Sequence, residues 1–307
     1  MDIEMKKNIH FLLFFFFFSV SPSHHNIFAN QKLTVMTLNT GLLPWPLGMK
    51  QRKKRAKKIA KTILNLTYDP DIIALQEVFG ESYQRKITKK IKNKYPYILQ
   101  DFQSGRHIFG VDSGLVLASK FPIEKRILKE YKHSLGDGNL ARKGVMGIKI
   151  QHPVLGPVYV FTTHMQAGIN KFLSYLFDFY KKYKNDSDLA SRLQLKEARK
   201  WITSFVDDKD RFHATILYMG DFNIKNKDKG DDKEEYQQTL QILKAQDTYR
   251  QQESAARSTV WRTEEELRID YIFNLSSHEN LKGSSFIIND FNKKMTDHRA
   301  VIGEFHL

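Results

Sequence analysis

A layered α/β fold is predicted by three features of the sequence. Eight short apolar runs, many rich in β-branched residues, recur along the chain as strand candidates. Two longer segments repeat their apolar residues at helical spacing. No internal repeat and no Pro/Gly/Ser-rich linker follows residue 30, so residues 30–307 are expected to form one large domain, with strands outnumbering helices.

Lys6 and Lys7 precede an apolar run, Phe11 to Val20, that is too short to cross a bilayer. Ser21, Pro22 and Ser23 break the run, and Ile27-Phe28-Ala29 ends in a small residue. Residues 1–29 therefore read as a signal peptide cleaved after Ala29, with secretion as the consequence. A buried strand is the poorer reading of five consecutive Phe residues behind a basic stub.

The first strand is Leu33 to Leu38, followed by a helix over Lys50 to Thr67 whose Ala56, Ile59, Ala60, Ile63 and Leu64 share a face. Its cluster from Arg52 to Lys58 reads as a solvated face, with phosphate contact as the alternative. Strands follow at Asp71 to Leu75, Gly114 to Ala118, Val145 to Ile150 and Val158 to Thr163. Phe172 to Tyr180, flanked by Lys171, Lys181 and Lys182, fits either a lipid interface or a buried helix, since Phe172, Leu176, Phe179 and Tyr183 share a face. A second helix is predicted over Asp188 to Val206, with Leu189, Leu193, Trp201, Ile202 and Phe205 inward. Thr215 to Met219 is a strand, Asn226 to Glu235 a polar surface loop, and Ile269 to Phe273 and Val301 to Phe305 complete the strands.

The balance of 49 Lys+Arg against 34 Asp+Glu gives +15. Asp2 and Glu4 cancel Lys6 and Lys7, so loss of residues 1–29 leaves that charge intact. It favours an anionic partner: nucleic acid, an acidic membrane or a phosphorylated substrate. The absence of cysteine excludes disulfides and thiolate metal sites and is compatible with an oxidising exterior.

Five of the apolar strands end or begin at a polar residue able to do chemistry. Leu33 to Leu38 runs into Asn39, Ile72 to Gln76 into Glu77, Val158 to Thr163 into His164, and Ile216 to Gly220 into Asp221-Phe222-Asn223; Thr296-Asp297-His298 precedes the last strand. Phosphodiester hydrolysis needs a base near neutral pH, donors for oxyanions and a hard cation. Carboxylate and amide oxygens suit Mg²⁺, and an imidazole near pKa 6.5 is readily poised by a carboxylate.

These residues, with Asp69-Pro70-Asp71-Ile72-Ile73-Ala74-Leu75-Gln76-Glu77-Val78, Gly220-Asp221-Phe222-Asn223, Ile269-Asp270-Tyr271-Ile272 and Asp297-His298, resemble the endonuclease/exonuclease/phosphatase superfamily from about Leu33 to Phe305. The resemblance implies a four-layered α/β/β/α sandwich of the deoxyribonuclease I type. It implies Glu77 as principal Mg²⁺ ligand with Asn39 beside it and Asp297 near the metal, Mn²⁺ or Co²⁺ standing in for Mg²⁺ in vitro. It further implies His298 as general base oriented by Asp270, Asp221 and Asn223 positioning water and stabilising the transition state, and His164 binding a phosphoryl oxygen.

Within the superfamily, Lys143-Gly144 before a strand and Thr163-His164-Met165-Gln166-Ala167 are similar to bacterial neutral sphingomyelinases, as are Arg192-Leu193-Gln194 and Glu235-Tyr236. That likeness implies hydrolysis of sphingomyelin, or a related choline phospholipid, to ceramide and phosphocholine, with Lys143 and Gln166 binding substrate, a phospholipid surface as partner, no obligate protein partner and a monomer. Thr248 to Leu267 is short and polar where haemolytic relatives carry an apolar hairpin, and Thr-Asp-His-Arg-Ala-Val departs from their Ser-Asp-His-Tyr-Pro-Val. The rival readings are a secreted nuclease of the same fold, with nucleic acid as partner, and an inositol phosphate phosphatase, which usually has Trp where Tyr218 stands. A non-catalytic binding protein is disfavoured because every expected catalytic residue is present.

Overall fold

The computed structural model describes residues 32–43, 49–101, 112–134, 142–167, 180–226, 231–251, 257–261 and 267–307, without the side chains of 180–185 and 231. The segment read as a signal peptide and most of Phe172 to Tyr180 lie outside these residues. In chain order the elements are β1 (Leu33–Asn39), α1 (Arg52–Leu64), β2 (Ile72–Gln76), α2 (Glu81–Ile91), β3 (Tyr97–Gln100), β4 (Val116–Ser119), β5 (Ile123–Glu130), β6 (Gly144–His152), β7 (Gly156–His164), α3 (Tyr180–Phe205), β8 (Thr215–Asp221), α4 (Asp231–Leu243), β9 (Gln246–Asp247), β10 (Asp270–Asn274), β11 (Lys282–Ile288) and β12 (Ala300–His306).

Two six-stranded mixed sheets result, ordered β11-β12-β1-β2-β4-β3 and β5-β6-β7-β8-β10-β9. β1 runs parallel to β2 and β7 parallel to β8, and the other pairs of named strands are antiparallel. Strand alternation sorts each strand's side chains between two layers. In β1, Leu33 and Val35 enter the cluster between the sheets, whereas Met36 and Leu38 pack with Ala56, Ile59 and Ile63 of α1. In β8, Leu217 and Met219 join the inter-sheet cluster while Ile216 and Tyr218 pack with Leu195, Ala198 and Ile202 of α3. Three apolar interfaces therefore hold four layers, α/β/β/α, as the resemblance implied.

All eight predicted strands are present. β5 escaped sequence reading because its Glu, Lys and Arg side chains, suited to a sheet edge, interrupt the apolar pattern. α2 was also unread, although Tyr83, Ile87 and Ile91 recur at one per turn and pack against α1.

Two corrections concern helices. The loop expected through Glu235 ends earlier, since α4 starts at Asp231. Asp232, Glu234 and Glu235 crowd the N-terminal turns, where the helix dipole favours them, and Tyr236, Leu240 and Leu243 anchor the inner face. In α3 the buried stripe runs through Gln194, Leu195, Ala198, Ile202 and Phe205; Leu193 is half-buried and Leu189 is 50% exposed rather than inward. Polar Gln194 and small Ala198 disguise that stripe. No helix among the described residues is long and apolar enough to cross a membrane.

Candidate active site

The same alternation that builds the inter-sheet core also builds the site. Asn39 continues the Leu33, Val35, Thr37 face of β1, and Gln76 continues Ile72 and Ala74 on β2. His164 continues Val158, Val160 and Thr162 on β7, Asp221 continues Leu217 and Met219 on β8, and Asp270 lies two residues from Ile272 on β10. Register aligns them: Asn39 pairs with Gln76, His164 with Asp221, and Asp221 with Asp270. At one end of the sandwich the apolar filling thus gives way to polar groups from both sheets. Gln76 Nε2 marks the change, donating to Thr37 Oγ1 and to Thr162 Oγ1 of the opposite sheet, both at 3.0 Å.

Glu77 breaks the alternation. An extended residue after Gln76 would face α1, but Glu77 has φ 56°, in the left-handed region, and its carboxylate meets Asn39. Gly114 backs the turn at φ +64°; a Cβ there would lie 3.1 Å from Glu77 Cα and 3.0 Å from the Phe79 ring. Gly220, at φ +143°, lets β8 approach β7, since a Cβ would fall 2.1 Å from the Thr163 carbonyl.

Asn39 Nδ2 joins the sheets, donating to Glu77 Oε1 at 3.0 Å and to Asp221 Oδ2 at 2.8 Å, while its Oδ1 accepts from Gly41 N at 2.9 Å. His298 Nδ1 lies 2.8 Å from Asp270 Oδ2, so an Nδ1–H donates to the carboxylate and Nε2 points toward Asp221 Oδ2, 3.9 Å away. His164 Nε2 lies 3.6 Å from Glu77 Oε1 and 3.8 Å from Asp221 Oδ2. Lys143 Nζ approaches that ring, 3.1 Å from Nε2. Asn223, at φ 54°, donates its backbone N–H to Asp221 Oδ1 at 2.9 Å and its Nδ2 to the Met165 carbonyl at 3.1 Å.

Of the residues singled out in the sequence, Asn39, Glu77, Lys143, His164, Asp221, Asp270 and His298 converge, with Asn223 bonded to Asp221. Gln166 and Asp297 stand at the margin. Gln166 is buried and donates to the Gln194 side chain and the Ala167 carbonyl. Asp297 is half-buried beside Gly41, outside both groups of clustered ligand atoms found among the described residues. Sequence reading missed Gln76 and Trp261. Trp261 holds the His298 segment through Nε1 to the His298 carbonyl at 3.0 Å and its N–H to the Asp297 carbonyl at 2.9 Å. Nothing local in the sequence marks either residue, because both act across elements.

Burial pushes the Glu77 carboxyl above its ordinary range, against the Asn39 hydrogen bond. Burial and then repulsion from Asp270 raise Asp221. Burial, Lys143 and His298 hold His164 well below its usual value, so its ring is neutral. Burial opposes the charged form of His298 too, but Asp270, Asp221 and Asp297 outweigh it and carry the ring up to about 10.

Glu77, His164 and Asp221 offer ligand atoms within 4.8 Å of one another, as do Asp221, Asp270 and His298. Two buried carboxylates, Glu77 and Asp221, each disfavoured as an anion and bridged by the Asn39 amide nitrogen, form with the adjacent His164 nitrogen a donor set that fits a divalent cation.

The model of the endonuclease/exonuclease/phosphatase family matches residues 36–274. A sphingomyelinase from Dictyostelium discoideum is 31% identical over 207 residues, 58% of this chain and 43% of the relative. Sphingomyelinase C 2 from Leptospira interrogans is 25% identical over 293 residues, 85% of this chain and 43% of the relative. The chain spans less than half the length of these curated relatives. Among solved structures, a beta toxin mutant from Staphylococcus aureus with bound magnesium ions superposes with TM-score 0.66 at 19% identity, covering 89% of this chain and 99% of the toxin.

Proposed function

The chain belongs to the endonuclease/exonuclease/phosphatase family, and from that premise we propose that it is a secreted, Mg²⁺-dependent phosphodiesterase that hydrolyses sphingomyelin, or a related choline phospholipid, to ceramide and phosphocholine. The observation that carries the reading is the Asp270–His298 pair set across the inter-sheet cleft from Glu77 and Asn39, with the Lys143–His164 pair beside them. The sphingomyelinase relatives supply the substrate class, and residues 1–29 supply the route of export.

The residues divide the work as follows. With Nδ1–H held by Asp270, His298 in its deprotonated form, which a cation held at Glu77 would favour by offsetting the carboxylate charge that raises the ring, presents Nε2 to a water molecule and takes its proton as oxygen attacks phosphorus. Asp221, fixed by Asn39 and the Asn223 backbone, orients that water. Neutral His164 donates a hydrogen bond to a phosphoryl oxygen, and the Lys143 ammonium answers the charge that develops there. Asn223 has a second amide hydrogen for the same oxyanion. Gln166 would orient the lipid head group. Glu77, with Asn39 and with Asp297 nearby, would hold Mg²⁺, which when bound offsets the carboxylate charge and stabilises the phosphoryl oxyanions.

The test is Mg²⁺-dependent phosphocholine release from sphingomyelin liposomes, run beside plasmid DNA, with His298→Ala as control. Release that requires both Mg²⁺ and His298 is expected. DNA cleavage without lipid turnover would move the substrate to nucleic acid while keeping the catalytic assignment.

A further inference from the structure

The two helical layers differ in charge. α1 carries seven basic residues and no acidic one, and α2 carries four basic and one acidic, ten net positive charges over sheet β11-β12-β1-β2-β4-β3. α3 has seven basic and three acidic residues and α4 one basic and four acidic, leaving one net positive charge over the other sheet. The positive charge of the helical layers is therefore polarised, which a merely soluble surface does not require.

The basic layer is also shaped. Arg52 and Arg55 are not part of its outer face. Arg52 donates to the Leu42 carbonyl at 3.0 and 2.7 Å and to the Phe79 carbonyl at 2.6 Å, while Arg55 is buried and donates to the Gly41 and Met295 carbonyls. The exposed residues of α1 are lysines. Lys50, just before α1, and Lys54 and Lys58, one turn apart on it, face Lys293 and Lys294 across an open groove of about 530 Å³ with Arg55 in its lining. Two chain segments distant in sequence thus bring five ammonium groups to one concavity.

That groove adjoins the mouth of the site. Arg55 touches Gly41, two residues after Asn39, and Lys294 lies four residues before His298; Thr296 Oγ1 donates to the Asn39 carbonyl at 2.7 Å. A flat anionic surface seated on these lysines would lie beside the opening to Glu77 and His298.

We infer that the α1 lysine face, with Lys293 and Lys294, is a docking surface for a bilayer bearing anionic lipids, which holds the catalytic cleft against the membrane. This rests on the lipid reading of the site only for its purpose; the surface itself is argued from charge and position. Flexible ammonium groups in a shallow array suit dispersed phosphate and carboxylate head groups, since each lysine near an anionic membrane surface adds about fivefold to partitioning.

The experiment uses the full chain carrying His298→Ala, so that no lipid is consumed, and vesicles that contain no sphingomyelin. Sedimentation with phosphatidylcholine vesicles is compared with sedimentation with phosphatidylcholine/phosphatidylserine vesicles. Binding is expected to require phosphatidylserine and to weaken with salt. K50Q/K54Q/K58Q should lower the partition coefficient roughly a hundredfold, and K54Q alone about fivefold. K196Q/K200Q/K233Q on the other helical layer, an equal loss of charge, should leave binding nearly unchanged. Hydrolysis of a water-soluble phosphocholine ester by the chain with intact His298 should be insensitive to all of these lysine substitutions. Equal losses in the two triples, or equal binding to both vesicle types, would overturn the inference. So would loss of plasmid retention without loss of vesicle binding in the α1 triple, which would assign the face to nucleic acid. Failure to hydrolyse sphingomyelin would sink the proposed substrate without altering these binding results.

Discussion

Two of the clusters of buried or half-buried ionisable groups among the described residues have electrostatics that point opposite ways. Where α3 ends, Lys149 Nζ lies 2.8 Å from both Asp207 Oδ2 and Asp210 Oδ2, and Tyr159 OH donates to Asp210 at 2.6 Å and Asp207 at 3.0 Å. Hydrogen bonds from Lys125, Lys149 and Tyr159 hold Asp207 below its ordinary range; burial pushes Asp210 up, but Lys149 and Tyr159 overcome it. In the catalytic cleft, Glu77 and Asp221 are instead raised, and Asp270 Oδ1 is buried without a hydrogen-bond partner among the described residues. The first cluster has spent its charges on itself and serves the fold. The second is short of positive charge, which is the condition for recruiting a cation or a reacting proton.

The largest expected effect is on catalysis. His298→Ala should lower kcat for phosphocholine release by roughly 10³- to 10⁴-fold at unchanged folding, and Lys149→Met should leave the turnover of folded protein intact. Parity between these variants would erase the distinction between the clusters.

Stability should show the reverse order. Lys149→Met takes the ammonium from the buried Asp210 carboxylate, while Asp207 keeps Lys125, and should cost about 2 kcal/mol in denaturant unfolding. In chelator, Glu77→Gln should raise the melting temperature, because it removes a carboxylate that burial disfavours, and it should abolish the further rise that Mg²⁺ produces in the parent chain.

pH sharpens the contrast. Asp221 and Glu77 bind protons more tightly folded than unfolded, and so does His298, whose folded value is about 10. Their contribution to stability is present at low pH and is lost as pH rises, for His298 between its ordinary value and about 10. The chelated protein should therefore lose melting temperature from weakly acidic to alkaline pH, and Mg²⁺ should flatten the decline. The Asp207 and Asp210 pair, with lowered values, should contribute nothing to that slope and should weaken the fold only in strong acid.

The smallest effects test positioning. Gly114→Ala adds a methyl group against Phe79 and the Glu77 turn at φ +64° and should cost about 1 kcal/mol of stability, with KM for Mg²⁺ rising more than kcat falls. Asp270→Asn removes the charge that raises His298, so the acidic limb of the pH–rate profile should move to lower pH while kcat falls.

Much of this was legible along the chain. Alternating apolar residues need burial on a sheet face, so the strands carrying Asn39, His164, Asp221 and Asp270 were readable one by one, as was the helix that carries Ile59 and Ile63. The basic surplus was equally plain, but its concentration on the α1 side was not, nor was the division of Arg52 and Arg55 from the lysines around them. Element types follow from local periodicity, which is encoded within a few residues. Convergence of Glu77 with Asp221, the bridge of Gln76 between sheets, the support of His298 by Trp261 and the meeting of Lys54 with Lys293 depend on strand order and register. Those are decided by how four layers bury their faces together, and only the tertiary structure reports them.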